Sequence, residues 1–384
     1  MQNKENIKIK EVRVMHGNEA CCEGAILAGC RLFAGYPITP ASEVSEVMAR
    51  RMPEVGGIYL QMEDELASIN LLLGASWGGM KAMTATSGPG LDLMHETIGF
   101  AYEAEMPCVI VDVQRGGPSG GQATMGAQGD IMSARYGAHG DTEMIVLTAS
   151  SAQEALDQTI RAFNLSEKYL TPVFVMTDEI VGHTRENVAI PENPFIFNRV
   201  KPEPGENCLP FDADESLNYI PKRNDFGEGA QLMVDQQLHD EYGVRCGHLI
   251  DKSAHLIKRL AKKISYNAAD IIEYETKETD DAEVIIISYG SVARPALRAM
   301  REARAQGGKV GWVKLKTLYP FPKELLADLA KNCKKFVVPE MNLGQMLKEV
   351  EWATKLDAVP VTKVGGELHS PDDILAVVKE VLAK

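Results

Sequence analysis

Along roughly the first 190 residues, short β-branched apolar runs alternate with longer stretches of helical periodicity, the signature of a parallel α/β sheet. Asn18–Gly29 fits a small-residue helix closed by glycine, and Arg31–Tyr36 a short strand. Thr39 and Pro40 follow as a predicted helix start, since Thr caps well and Pro suits the first helical position. Glu65–Gly78 is nearly apolar all round and predicts a buried helix. Lys81–Ala85 reads as a strand, Ser87–Gly90 as a turn and Leu91–Glu105 as a helix. Val109–Val113 is continuously apolar, as a strand covered on both faces should be. Gly116–Gly129 then holds six glycines in fourteen residues and predicts a loop. Ile145–Leu147, Ala152–Tyr169 and Val173–Met176 complete the unit as strand, helix and strand.

The pattern changes after Pro191. A stretch rich in Pro, Asn and acidic residues lacks sustained periodicity and predicts a long surface connection, with one helical piece around His248–Lys263. The charged run Glu275–Glu283 ends it. Alternation resumes with Val284–Ser288, Arg294–Gln306 and Val310–Leu315, then a helix at Lys323–Asn332 after Pro320-Phe321-Pro322. Phe336–Pro339, Val359–Lys363 and Ile374–Leu382 close the chain. The predicted organisation is one α/β domain over 1–191, a linker and insertion over 192–280, and a smaller α/β domain over 281–384.

Composition narrows the function classes. With 384 residues, 45% hydrophobic and 24% charged, the chain has material for real cores. A net charge of −14 argues against nucleic acid as a partner, because phosphate contacts need clustered Lys and Arg. The polar opening, Met1–Met15, lacks the apolar core of a secretory signal, and no apolar run reaches membrane-spanning length, so a cytoplasmic protein is expected. Seven irregularly spaced cysteines with no C-x-x-C pair read neither as a disulfide framework nor as a zinc or iron–sulfur site.

In open parallel sheets ligands bind at the carboxyl ends of strands. Three candidates fall there. Thr39, in Tyr36-Pro37-Ile38-Thr39-Pro40, offers a hydroxyl at a strand end; capping is the commoner role for such a residue. Glu65 stands at the mouth of an apolar helix, where desolvation would raise its pKa and suit it to share a proton; an acidic first turn is an equal reading. Arg115 opens the glycine-rich loop, and a guanidinium at a strand end can grip a carboxylate with two parallel hydrogen bonds. The eight histidines show no metal-ligand spacing, and neither a G-x-S-x-G elbow nor a Walker A motif occurs, so no metal site is read in this chain.

These residues also carry a resemblance. Gly35–Pro40 (GYPITP), Glu63–Gly79, Thr84–Glu96 and Asp112–Thr124 (DVQRGGPSGGQAT) resemble, in order, the pyrimidine-binding domain of 2-oxoacid:ferredoxin oxidoreductase alpha subunits. Ser288–Ser291, Lys314–Pro322 (KLKTLYPFP) and Pro339–Gln345 (PEMNLGQ) resemble that family's transketolase C-terminal-like domain, with FGEG at Phe226–Gly229 and LHDE at Leu238–Glu241 between them. The implied fold is a thiamine-diphosphate-binding-type parallel-sheet domain followed by a transketolase C-terminal-like α/β domain. The implied reaction converts a 2-oxoacid and coenzyme A into an acyl-CoA and carbon dioxide while reducing ferredoxin.

By resemblance, Glu65 is the glutamate that hydrogen-bonds the aminopyrimidine of thiamine diphosphate, favouring the tautomer with which the cofactor activates itself. Ile38, Gly88 and Pro89 match further cofactor contacts, and Thr39 and Arg115 match positions that hold the substrate carboxylate. No G-D-G with a downstream Asn is present for a diphosphate–Mg²⁺ site; Gly129-Asp130 and Gly140-Asp141 do not fit that pattern. The resemblance therefore implies a beta subunit carrying Mg²⁺, the diphosphate site and a [4Fe–4S] cluster, with separate gamma and ferredoxin-like delta subunits. Ala127–Asp141 and Thr177–Glu186 look most like 2-oxoglutarate-specific alpha subunits, whose second substrate carboxylate would need a cation such as His183, Arg185, Arg135 or a beta-subunit residue. Pyruvate or branched-chain specificity, and a non-catalytic scaffold, are the competing readings; a thiamine enzyme complete in one chain is opposed by the missing diphosphate motif.

Overall fold

The computed structural model describes residues 8–206 and 208–383, so residues 1–7 of the polar opening stretch lie outside the described residues. In chain order the first elements are β1 (Ile9–His16), α1 (Gly17–Leu27), β2 (Leu32–Gly35), α2 (Ser42–Glu54), β3 (Ile58–Gln61), α3 (Glu65–Trp77), β4 (Ala82–Thr86) and α4 (Gly88–Glu103). Next come β5 (Cys108–Gly116), β6 (Gln122–Gly126), α5 (Ile131–Tyr136), β7 (Ile145–Thr148), α6 (Ala152–Tyr169), β8 (Pro172–Asp178), α7 (Glu179–His183) and β9 (Arg185–Pro191). After a long connection follow α8 (Ile250–Ser265), α9 (Ala268–Ile271), β10 (Tyr274–Lys277), β11 (Val284–Ser288), α10 (Ala293–Ala305), β12 (Val310–Leu315) and β13 (Thr317–Tyr319). The chain closes with α11 (Lys323–Leu329), β14 (Lys335–Glu340), α12 (Gln345–Thr354), β15 (Val359–Thr362) and α13 (Pro371–Leu382).

The main sheet runs β13-β7-β8-β5-β4-β2-β3, with β6 folded back on β5; β2, β3, β4, β5, β7 and β8 are mutually parallel. A second sheet runs β10-β12-β11-β14-β15, and β1 pairs with β9 as a separate antiparallel ribbon. β10 lies in the 192–280 stretch yet joins the second sheet, while β13, beyond residue 281, edges the first.

Strand β5 shows why the sheet is central. Val109, Val111 and Val113 point into a core shared with α1, α2 and α6; Ile110, between them, points into a core shared with α3 and α4. All four are fully buried, each contributing about 1.5–3 kcal/mol of apolar burial. The second of these cores also holds Leu256 and Leu260 of α8 and Ile285, Ile287 and Phe336 of the second sheet, so the two sheets are packed together.

Three sequence expectations need correction. Ser87-Gly88-Pro89-Gly90 is not a free turn: Ser87 is the extended residue before α4, and Pro89 sits in the first turn, where its missing N–H costs nothing. The loop at 116–129 contains a hairpin, because β5 runs on to Gly116 and turns back as β6. Helix α3 is not buried all round; Leu66 is 43% exposed, and Asn70 and Gly74 share its open side.

Candidate active site

The carboxyl ends of β2, β3, β4 and β5 bring the predicted residues to one edge of the sheet. Past β3, Asp64 caps α3 by accepting the Ala67 N–H at 2.7 Å, which fixes Glu65 as the first helical residue. Glu65 is only 5% exposed, and burial pushes its carboxyl above the ordinary range. Its partner in space is the start of α4. A Cβ added to Gly90 would lie 2.4 Å from Glu65 Oε1 and 2.2 Å from Thr86 Oγ1, so only glycine lets helix and carboxylate approach this closely. Thr86 Oγ1 and Ser87 Oγ beside it are buried without hydrogen-bond partners.

Arg115 and Thr39 are also brought together. Arg115 donates from Nη1 to the Thr39 carbonyl at 2.6 Å and from Nη2 to the Gly120 carbonyl at 3.0 Å. Thr39 does not cap α2: the helix starts at Ser42, with Ala41 before it and no side-chain cap. The loop is held from elsewhere, because Asn18 Nδ2 donates to the Pro40 carbonyl at 2.9 Å. Thr39 is thereby left exposed beside the guanidinium, with Ile38 packed half-buried against the core below.

The other cations are placed differently. His183 is held between Glu179 (2.9 Å) and Glu43 (3.3 Å), and although burial opposes its charge, those two carboxylates raise its pKa. Both ring nitrogens are thus engaged with acids. Arg135 is bound by Glu143 at 2.9 Å and by the Thr142 carbonyl, between the rings of Tyr136 and Tyr319. Arg185 pairs with His16 at the exposed end of β9, and His139-Gly140-Asp141 forms an open loop.

Sequence reasoning missed one acidic pair. Asp112, fully buried near the end of β5, lies beside the Asp130 carboxyl, which packs against Gly88; neither Asp112 oxygen nor Asp130 Oδ2 has a hydrogen-bond partner. Burial, then the charge of Asp130, pushes Asp112 well up; Asp92 adds repulsion, and Arg115 offers Asp130 partial relief. Two carboxylates cannot donate to each other, so the pair holds a proton. The signal was present: an Asp inside the apolar run CVIVDV is costly unless it is used. A raised native pKa means the folded state binds more protons than the unfolded one above about pH 4, so the pair's contribution to stability falls as pH rises. Asp112→Asn, which lets an amide donate to Asp130, is expected to melt above wild type at pH 8. The difference should shrink towards pH 4, and thermal unfolding at both pH values checks it.

Known proteins bear on this arrangement. Residues 23–245 match the family described as pyruvate flavodoxin/ferredoxin oxidoreductase, thiamine diphosphate-binding, and residues 282–374 match pyruvate:ferredoxin oxidoreductase core domain II. The chain is 52% identical over 370 residues to the 2-oxoglutarate synthase subunit KorA of Methanocaldococcus jannaschii, covering 95% of this chain and 98% of the relative. Among solved structures it is similar to the 2-oxoglutarate:ferredoxin oxidoreductase from Magnetococcus marinus with 2-oxoglutarate, coenzyme A and succinyl-CoA bound. That match has a TM-score of 0.92 and 36% identity, and covers 97% of this chain but 66% of the longer one. A split-gene transketolase, an inactive beta4 tetramer, shares the fold at a TM-score of 0.56 and 14% identity, covering 96% of this chain and 97% of that one.

Proposed function

Because the chain belongs to the 2-oxoacid:ferredoxin oxidoreductase family, we propose that Glu65, Arg115 and Thr39 are its share of an active site completed by a beta subunit. It is the alpha subunit of a 2-oxoglutarate:ferredoxin oxidoreductase. Its reaction takes 2-oxoglutarate, coenzyme A and two oxidised ferredoxins to succinyl-CoA, carbon dioxide, two reduced ferredoxins and a proton. The observation that carries the site is the buried Glu65 carboxyl lying against Gly90 at the mouth of α4.

The residues present fit a pyrimidine ring. Glu65 has its carboxyl buried and raised, the glycines at 88 and 90 leave the start of α4 bare, and Thr86 and Ser87 offer unpartnered hydroxyls beneath it. Thiamine diphosphate, when bound, supplies the electron sink that decarboxylation of a 2-oxoacid requires. Glu65 holds or shares the proton at the ring nitrogen, with Ile38, Gly88 and Pro89 shaping the ring's surroundings. Arg115 spends one N–H of each Nη on a carbonyl and keeps the others for the substrate carboxylate, beside the Thr39 hydroxyl. Mg²⁺, the diphosphate site and a [4Fe–4S] cluster belong on this reading to the beta subunit, with gamma and ferredoxin-like delta subunits completing the path to ferredoxin. Because His183 and Arg135 are both engaged with acids, the second substrate carboxylate is assigned to Arg185 or to the beta subunit.

The test is co-expression with the partner subunits, anaerobic purification, and coenzyme A-dependent viologen reduction with 2-oxoglutarate, pyruvate and 2-oxoisovalerate. 2-Oxoglutarate is expected to lead in kcat/KM by more than about tenfold, since a site built for a second carboxylate leaves its polar groups unpaired when that carboxylate is missing. Preference for another oxoacid would remove the substrate assignment. No turnover from an assembly loaded with thiamine diphosphate and its cluster would favour the scaffold reading.

A further inference from the structure

The loop carrying Asp130 is held less by its own sheet than by the second one. Gln128 is fully buried; its N–H donates to the Met341 carbonyl at 3.1 Å, and its Oε1 accepts the Met341 N–H at 3.1 Å. Its side-chain amide reaches the Tyr289 carbonyl at 3.2 Å and Asp178 at 3.3 Å, and its carbonyl accepts Asn342 Nδ2 at 2.6 Å. Gln345, first residue of α12, donates to the Gly129 carbonyl at 2.6 Å and accepts the Met132 N–H at 3.1 Å. Asp130 stands between these two grips, its N–H on Gln114 Oε1 at 3.2 Å.

The gripping side is itself braced. Glu340, fully buried, accepts the Met346 and Leu347 N–H groups at 2.9 Å and the Tyr289 hydroxyl at 2.7 Å. Asn342 Oδ1 accepts the Gly344 and Gln345 N–H groups at 2.8 and 3.0 Å, so it places Gln345 while its amide holds Gln128. A purely structural contact between two sheets would need none of this polarity; apolar packing is cheaper than desolvating five amide and carboxyl groups.

We propose that the C-terminal α/β unit positions the cofactor end of the active site: Gln345 and Asn342 clamp residues 128–130, and thereby set Asp130 against Asp112 and against Gly88, in the first turn of α4 whose Gly90 lies against Glu65. This rests on thiamine diphosphate binding at Glu65. Gln345 and Asn342 are positioning residues on this view, since neither touches the reacting groups. It also gives a reason for the PEMNLGQ stretch that needs no substrate contact from it.

The experiment uses the co-expressed complex with two variants in α12. Gln345→Ala removes both bonds to the loop without disturbing a core position. Val350→Ala, at a fully buried position, weakens the same helix without touching the loop. Apparent affinity for thiamine diphosphate, hydrogen exchange over residues 126–132 and the thermal midpoint are measured for each. Expected for Gln345→Ala is faster exchange in that segment and about tenfold weaker thiamine diphosphate binding, within what the loss of two hydrogen bonds allows. Expected for Val350→Ala is a lower midpoint with cofactor affinity kept. Unchanged exchange and affinity in Gln345→Ala, or equal loss of affinity in both variants, would overturn the clamp. If the wild-type complex binds no thiamine diphosphate, the functional reading fails instead, and exchange over 126–132 alone decides the clamp.

Discussion

Glu65→Gln is expected to cut coenzyme A-dependent 2-oxoglutarate oxidation by at least about a hundredfold, the usual worth of a positioned proton-transfer group. Glutamine keeps the length and shape of the side chain against Gly90 and the cap from Asp64, so helix α3 should be undisturbed. What is lost is the capacity to hold a proton and return it. An amide presents one oxygen and one NH₂, neither titrating in the working range. Thermal stability should hold or rise slightly, because a buried carboxyl whose pKa burial has raised is a cost to the fold at neutral pH. That opposition of signs, less activity with no less stability, separates a chemical role from a structural one. Full activity in an assembled Glu65→Gln complex would remove Glu65 from the mechanism and leave the scaffold reading in its place.

The alternating layers and the three strand-end residues were legible in the sequence because each rests on local chemistry: a β-branched run, a glycine cluster, a charged residue at the edge of an apolar stretch. The misreadings share a different cause. Thr39-Pro40 looks like a helix start, yet both carbonyls there are held by residues distant in sequence, Arg115 and Asn18, so the chain stays open until Ser42. The side of α3 that carries Leu66, Asn70 and Gly74 is exposed in this chain, and composition alone cannot tell a surface covered by the same chain from one left open. β13 has only three residues, too few to show a period, and its place beside β7 is set by pairing across more than 160 residues. The Asp112–Asp130 pair and the Gln128 clamp are likewise products of topology, although the lone Asp in an apolar strand was a visible cue.

The largest effect on stability is expected at Glu105, where topology matters most. Glu105, two residues beyond α4, is left-handed (φ 54°) and fully buried; its carboxylate faces Arg259 and Lys263 of α8, with Arg223 of the long connection at the backbone beside it. Arg259 binds both oxygens at 3.0 and 2.7 Å, Lys263 binds Oε1 at 2.7 Å, and Arg223 donates to the Ala104 and Glu105 carbonyls. Burial alone would raise the Glu105 carboxyl, but Arg259 and Lys263 together drive it far below the carboxylate range. Burial in turn lowers Lys263 to about 8, despite the same pairing. These directions agree on one point: the cluster is tolerable only while its anion is present. Glu105→Ala strands two buried cations: Lys263 keeps the Leu170 carbonyl, and Arg259 keeps the Tyr219 carbonyl and a more distant Asp212 carboxylate at 3.7 Å. Breaking a buried ion pair from one side costs about 3–5 kcal/mol, because the surviving charge stays desolvated. Chemical denaturation of the full chain should show a loss of that size, and helix α8, which carries Arg259 and Lys263, should lose hydrogen-exchange protection ahead of the central sheet. A loss under about 1 kcal/mol would place the network among surface-like ion pairs and take from Glu105 its role of fastening α8 to the sheet.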